Sequence, residues 1–388
     1  MYTEQDIIAN YIARGYITNL SDFMNSHPEL NYPDWDLADI FAANQYADTR
    51  GNLYSVPLET MVKTYVYRKD KFDELGLKPA KTMDELKENA KELTDPKGNF
   101  YGWACNAKAY QALGYEFVEN WWWLYDIPHW CLNWEGWEEP GYVFSFEKFP
   151  EKPRVSQAEG GYMDSEKAFE ALADYLELIK YAPPGVRTYT WDESATAIAN
   201  GIVGQGLQYG DFYGLFINPE QSRVVGKIYA DLPPVSRHYR SGRPIGYLNL
   251  GAWSIPAGSR NKEAAWLFIQ YATAKEQVAR SGPATGAPQR LSVLMSDEIS
   301  RLDRELYGGY FSVIRNYRHL FVGNPPLVEH FPILEIIWTH LARAVAGEFG
   351  KVPEPASPKD TTDPYPAAKK CMLAMTEAVE KKLKEFYP

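Results

Sequence analysis

The chain has 388 residues, 45% apolar and 23% charged, with a formal net charge of -11 from 40 basic and 51 acidic side chains. That length sets a prior of about two to three domains, since single cores stop growing near ~250–300 residues, and the composition excludes a largely disordered, collagenous or disulfide-scaffold chain. The acidic balance argues against nucleic acid and anionic membrane surfaces as partners, because phosphates call for a basic face.

The start, MYTEQDIIANYIARGYI, has neither a basic n-region nor an uninterrupted apolar stretch, and does not read as a signal peptide. No run of about 18 apolar residues occurs later, so no transmembrane helix is predicted. Ile7, Ile8, Tyr11 and Ile12 fall at helical spacing before a stop at Gly15. The Tyr- and Val-rich GNLYSVPLETMVKTYVYRKDKF predicts extended strand punctuated by Pro57. Thr82 and Glu85 then stand three apart as a capping box opening a helix.

From Trp121 to Tyr142 periodicity dissolves into WWWLYDIPHWCLNWEGWEEPGY, which predicts a long aromatic loop. It returns after Asp164, with Phe169, Leu172, Leu176 and Ile179 on one helix face ended by Pro183 and Pro184. NKEAAWLFIQYATA predicts a helix whose apolar stripe is Ala265, Phe268, Ile269 and Ala272. The last helix is expected from about Ala367 to Phe386, with Met372, Met375, Val379, Leu383 and Phe386 inward, after the Pro-rich KVPEPASPKDTTDPYP. Interleaved helices and short strands predict the α/β class.

Chemistry-bearing motifs are sparse. His27, His129, His238, His319, His330 and His340 lack the spacing of a zinc site or of a catalytic pair on one helix. Cys371 reads as a core residue, while Cys105 and Cys131 are either a disulfide of an oxidising compartment or two buried thiols. GIVGQGLQYG carries glycines without a Walker lysine, so they read as sites of close backbone packing or ligand approach. Glu59, Glu116, Glu119, Asp126, Glu135 and Asp211 are candidate glycosidase carboxylates, which need a pair about 5–10 Å apart; the simpler reading has them binding sugar hydroxyls or facing solvent.

The aromatic content is the strongest anomaly: 12 Trp, 28 Tyr and 17 Phe in a chain whose mean hydropathy is -0.42. Tyr and Trp offer a flat apolar face with a hydrogen-bonding edge. Three consecutive indoles, Trp121 to Trp123, cannot all point into one core in a helix or strand, so at least one is expected at a cleft or surface. Rings that stack on the C–H faces of sugars, mixed with carboxylates, amides and Arg for hydroxyls, suit a carbohydrate.

Several segments in order resemble the extracellular solute-binding proteins of ABC transporters, in the sugar-binding group that includes maltose-binding protein. They are YSVPLETMVKTYVYRKDKFDELGLKPAKTMDEL from Tyr54, AIANGIVGQGLQYGD from Ala197, NLGAWSIPAGSRNKEAAWLFIQYAT from Asn249 and TGAPQRLSVL from Thr285. The resemblance implies a type II periplasmic-binding-protein-like α/β fold, with two lobes, a hinge and an interlobe cleft, divided as 1–64 with 246–290 and 65–245 with 291–388. It further implies non-enzymatic binding of an oligosaccharide or glycoside, delivery to an ABC transporter permease, a periplasmic or extracellular location, and no cofactor or metal. A glycoside hydrolase, or a degenerate member that no longer transports, is the alternative.

Carried over by position, the ligand contacts implied are Glu59, Thr60, Trp121, Trp122, Tyr125, Tyr209, Asp211, Gly251, Trp253 and Arg290. Stacking falls to Trp122, Tyr209 and Trp253, hydroxyl binding to Glu59, Asp211 and Arg290, and close backbone approach to Gly251. GAW in place of Gly-Gly-Trp and GQG in place of Val-Ala-Met are mild departures. The larger one is the front: members carry about 70–100 further residues before the segment matched by DIIANYIARGYITNLSDFM, so the first lobe is expected to be truncated at its N-terminus.

Overall fold

The computed structural model describes residues 1–41, 43–48, 50–131, 153–286, 288–323 and 330–387. Two sheets organise them. The first is a three-stranded antiparallel sheet of β1 (Tyr2–Glu4), β7 (Gly251–Ser254) and β2 (Ser55–Pro57), with β7 in the middle. The second is built around β3 (Met61–Arg68), which pairs antiparallel with β4 (Gln205–Tyr209), β5 (Ile228–Asp231) and β6 (Gly246–Asn249), while β6 pairs in parallel with β8 (Phe321–Val322).

The chain changes sheet three times, twice through short crossings and once through the long helical stretch between β7 and β8. It passes from β2 to β3 through Leu58–Thr60, and from β6 to β7 through Leu250. A strand covered on both faces should read as a continuous buried run, and every residue of β3 is buried, including Lys63, Thr64 and Arg68. The one glycine of β4 permits the close packing expected of it: a Cβ on Gly206 would lie 3.2 Å from the Ala104 carbonyl oxygen.

Helices form where the patterns put them, with two differences of face. The capping box at Thr82 and Glu85 opens the helix Met83–Leu93, and Ser165 caps the helix Glu166–Leu178, which packs on the C-terminal helix Tyr365–Leu383. Phe386 lies beyond that last helix and is exposed, contrary to the inward position expected of it. The helix Lys262–Ala272 buries Trp266, Ile269 and Gln270 and leaves Leu267, Phe268 and Tyr271 outside, so Phe268 is not on the core stripe. Apolar residues surround this helix on nearly all sides, and the buried face is chosen by the partners of Gln270: its amide donates to the Leu30 carbonyl at 2.9 Å and accepts from the Tyr32 N–H at 2.7 Å.

The aromatic segment also departs from expectation. Trp121, Trp122, Trp123 and Tyr125 are all fully buried. A π-helical turn over Glu116–Trp121 runs into a 3₁₀ turn over Trp123–Tyr125, so successive side chains leave the axis at angles a regular helix or strand does not offer. Core surrounds them: Trp121 packs 5.1 Å from the Tyr175 ring, Trp122 5.7 Å from Phe117 and Trp123 5.9 Å from His129. Cys105, Cys131 and Cys371 are buried free thiols.

Candidate functional site

Where the two crossings meet, a cavity of about 570 Å³ opens between the sheets. Its described walls come from β1 (Tyr2), the first crossing and start of β3 (Glu59, Met61), the π-helical turn and the residues before it (Gln111, Tyr115, Glu119), the helix Trp191–Ala199 (Trp191, Asp192), the end of β4 and the turn beyond it (Tyr209, Asp211, Phe212) and the end of β6 before the second crossing (Asn249). Ile7 and Phe331 complete the rim.

Glu59 sits on the first crossing, where the Leu58 N–H donates to the Gly251 carbonyl at 2.8 Å. Tyr2 donates its hydroxyl to Glu59 Oε1 at 3.0 Å. A Cβ at Gly251 would come within 2.3 Å of that carboxylate oxygen and 2.4 Å of the Tyr2 hydroxyl. Gly251 therefore admits the Tyr2–Glu59 pair at the cavity edge and is not itself on the lining. Burial raises the Glu59 carboxyl above the ordinary carboxylate range, with the Tyr2 hydrogen bond partly opposing it.

On the opposite wall the π-helical turn directs Glu116, Glu119 and Asn120 toward β3 and β4. Tyr209 donates to Glu119 Oε2 at 2.5 Å and accepts from Asn120 Nδ2 at 3.0 Å, and Lys63 Nζ lies 4.8 Å from the Tyr209 ring centre. Beneath them Lys63 and Glu116 form a buried ion pair, and Asn106 Nδ2 donates to Glu116 at 2.6 Å. The extra hydrogen bond matters because a buried pair is retained only when its remaining lone pairs are satisfied. The cation is thus committed to Glu116, below the cavity floor.

Asp211 follows Gly210, where a Cβ would lie 1.8 Å from the Tyr310 hydroxyl oxygen. Its carboxyl faces solvent within the recess, and desolvation by the walls, followed by the nearby charge of Glu59, pushes its pKa up to about 6. Tyr115 and Trp191 stack with ring centres 6.2 Å apart and planes 29° apart, giving the cavity a flat apolar wall. Asn249 Oδ1 and Trp191 Nε1 are buried without a hydrogen-bond partner among the described residues.

Of the residues carried over by resemblance, Glu59, Tyr209 and Asp211 come together at this cavity. The others do not line it. Thr60 is buried and donates to the Pro288 carbonyl at 3.2 Å. Trp121, Trp122 and Tyr125 are core residues: Trp121 Nε1 donates to the Ala171 carbonyl at 2.7 Å and the Tyr125 hydroxyl to Asp174 at 2.5 Å. Trp253 stands on β7 between the rings of Tyr2 at 6.5 Å and Phe268 at 5.7 Å. Arg290 is buried, donating to the Thr273 carbonyl at 2.6 Å, the Asp36 carbonyl at 2.9 Å and Asp39 at 3.1 Å; it ties the N-terminal segment to the end of the helix Lys262–Ala272.

Among the glycosidase candidates Glu59, Glu119 and Asp211 reach the cavity. Glu116 is held by Lys63, Asp126 is buried and paired with Arg240 at 2.7 Å, and Glu135 lies outside the described residues. Residue-by-residue reading missed Tyr2, Tyr115, Trp191, Asp192 and Asn249. The one local signal was Thr190–Glu193, where the Thr190 N–H donates to the Glu193 carboxylate at 2.7 Å: it marks a helix start, and Trp191 and Asp192 are the first two residues of that helix.

The family described as Bacterial extracellular solute-binding protein matches residues 3–279. Among curated relatives, a probable amino-acid ABC transporter periplasmic-binding protein of Sinorhizobium fredii is 25% identical over 289 residues, covering 73% of this chain and 57% of the relative. The maltotriose-binding protein of Pyrococcus abyssi is 24% identical over 287 residues, 70% of this chain and 52% of the relative. The chain thus spans a little over half the length of these relatives. Among solved structures, the maltose-bound MalE3 of T. maritima superposes with a TM-score of 0.72 at 19% identity, over 99% of this chain and 83% of that one. A ribitol complex from Agrobacterium radiobacter gives 0.69 at 20% identity, over 97% and 84%. These likenesses establish a fold shared with two-lobe binding proteins.

Proposed function

The chain belongs to the bacterial extracellular solute-binding protein family, and from that premise we propose that it binds a carbohydrate in the cavity between its two sheets and presents it, chemically unchanged, to an ABC transporter permease. The observation that carries the reading is the composition of the cavity. A stacked Tyr115–Trp191 wall faces carboxylates and an amide, which is the mixture a sugar needs: flat apolar surface for its C–H faces and oriented acceptors for its hydroxyls.

The lobes divide at Leu58–Thr60 and at Leu250, the two short crossings by which the chain changes sheet. Short crossings of this kind absorb the backbone rotation of a hinge-closing binding protein. Similarity to a maltotriose-binding protein and to maltose- and ribitol-bound structures supports a sugar or polyol ligand, while the relative described as a probable amino-acid ABC transporter periplasmic-binding protein sets the competing ligand class.

The test is a thermal-shift screen of mono- and oligosaccharides against amino acids, since ligand bound only to the folded state raises the melting temperature by mass action. At least one sugar is expected to raise it. Trp191→Ala should weaken that sugar by more than about 1 kcal/mol, as for an aromatic anchor, whereas Trp121→Ala should cost about 3–5 kcal/mol of stability as a core truncation and leave the folded fraction's affinity unchanged. A response to amino acids alone would sink the reading.

A hydrolytic reading draws support from one feature, the neighbouring Glu59 and Asp211 with raised carboxyl pKa values, because glycosidases tune one carboxyl upward as an acid. Release of reducing ends from the bound glycoside would favour it; the binding reading expects the sugar to be recovered intact.

A further inference from the structure

Four of the described residues lining the cavity, Glu59, Glu119, Asp192 and Asp211, are carboxylic acids, and none is Lys, Arg or His. Lys63, the cation beneath the floor, is held by Glu116. Among the described residues no ion pair reaches Glu59, Asp192 or Asp211. A neutral sugar would leave this cluster of acids facing itself, and an anionic one would add to the repulsion. Resting on the carbohydrate reading above, we infer that the ligand is an amino sugar, whose protonated amine is held by Glu59 and Asp211 while its ring lies on the Tyr115–Trp191 wall.

Two independent features separate this ligand from other cations. Asn249 Oδ1 and Trp191 Nε1 line the cavity as an unpartnered acceptor and an unpartnered donor. The acceptor calls for a hydroxyl or N–H donor and the indole N–H for an oxygen acceptor, since a buried polar atom left unpaired is costly; the hydroxyls of a sugar supply both, and a quaternary ammonium ion, coated in methyl groups, supplies neither. A bare divalent cation is disfavoured because no group of three His, Cys, Asp or Glu able to hold a metal occurs among the described residues. The raised carboxyls fit the same picture: burial lifts Glu59, and desolvation followed by the charge of Glu59 lifts Asp211, and a cation beside them favours their ionised forms.

Isothermal titration calorimetry at pH 7.5 on the full chain tests this with matched probes: glucosamine, galactosamine and the β-1,4-linked glucosamine disaccharide, each against its neutral parent and the corresponding uronic acid. At least one amino sugar is expected to bind tenfold or more tightly than its neutral parent, with no measurable binding of the uronic acid. Glu59→Gln and Asp211→Asn, made separately, should each reduce that preference at least threefold while far-UV circular dichroism remains that of the parent protein. Neutral sugars binding as well as or better than their amines would overturn the inference and leave the carbohydrate reading standing. Failure of every sugar, charged or neutral, to bind the folded protein would overturn both.

Discussion

Asp211 and Trp121 show how far a side chain's surroundings control what it does. The Asp211 carboxyl is raised from 3.8 to about 6, first by desolvation and then by the charge of Glu59. Because the folded state holds this proton more tightly than the unfolded chain, it binds more protons between those two values, and stability falls as pH rises through that window. The cost is absent below about 4 and fully present above about 6. Asp211→Asn should therefore match the parent's melting temperature near pH 4 and exceed it at pH 7. An equal difference at both pH values would show that the shift has another origin. Trp121, in a run that composition marks as ligand-facing, instead donates its indole N–H to the Ala171 carbonyl inside the core. Its type suits a sugar, yet its position admits none. Tyr209 illustrates the converse, since the turn sequence Tyr-Gly-Asp did place it at the cavity, while its hydrogen bonds to Glu119 and Asn120 come from a segment about 90 residues away in the chain.

Elements were legible where local chemistry is self-contained. Thr82 and Glu85 predict their helix because both hydrogen bonds of the cap are made within four residues. Thr82→Ala should lower stability by about 1 kcal/mol, read as a lower urea midpoint with an unchanged m-value; an unaltered midpoint would mean that packing of Met83, Leu86 and Leu93 alone holds the helix start. Faces were less legible than spans. The helix Lys262–Ala272 is apolar nearly all round, so its periodicity allows more than one stripe, and the choice falls to Leu30 and Tyr32, more than 200 residues earlier. The π-helical turn at Glu116–Trp121 has no sequence signature of its own. It still decides the site, because it turns Glu119 to the cavity while the indoles that follow enter the core.

At the level of the whole molecule, two short crossings join the two sheets, and the cavity of about 570 Å³ lies beside them. Ligand held between the sheets is expected to favour a closed form, so the sugar that raises the melting temperature should also lower the radius of gyration in small-angle scattering. An unchanged radius at saturation would argue for a rigid, preformed site. The acidic character of the recess is a property of this level too, since the four carboxylates among its described residues come from four separate stretches of chain.

Local motifs read in chain order were enough to determine the α/β class, the spans of the main helices, the family and the kinds of side chain a sugar site would use. Those properties depend on hydrogen bonds and apolar periods closed within a few residues, or on segments kept in order along the chain. The tertiary structure alone decided which aromatics are core and which are wall, that Arg290 and Thr60 serve packing, and that Tyr2, Tyr115, Trp191 and Asn249 meet Glu59, Tyr209 and Asp211. Each of those outcomes depends on which distant segment covers a given face, and burial by a distant segment leaves no period in the local sequence.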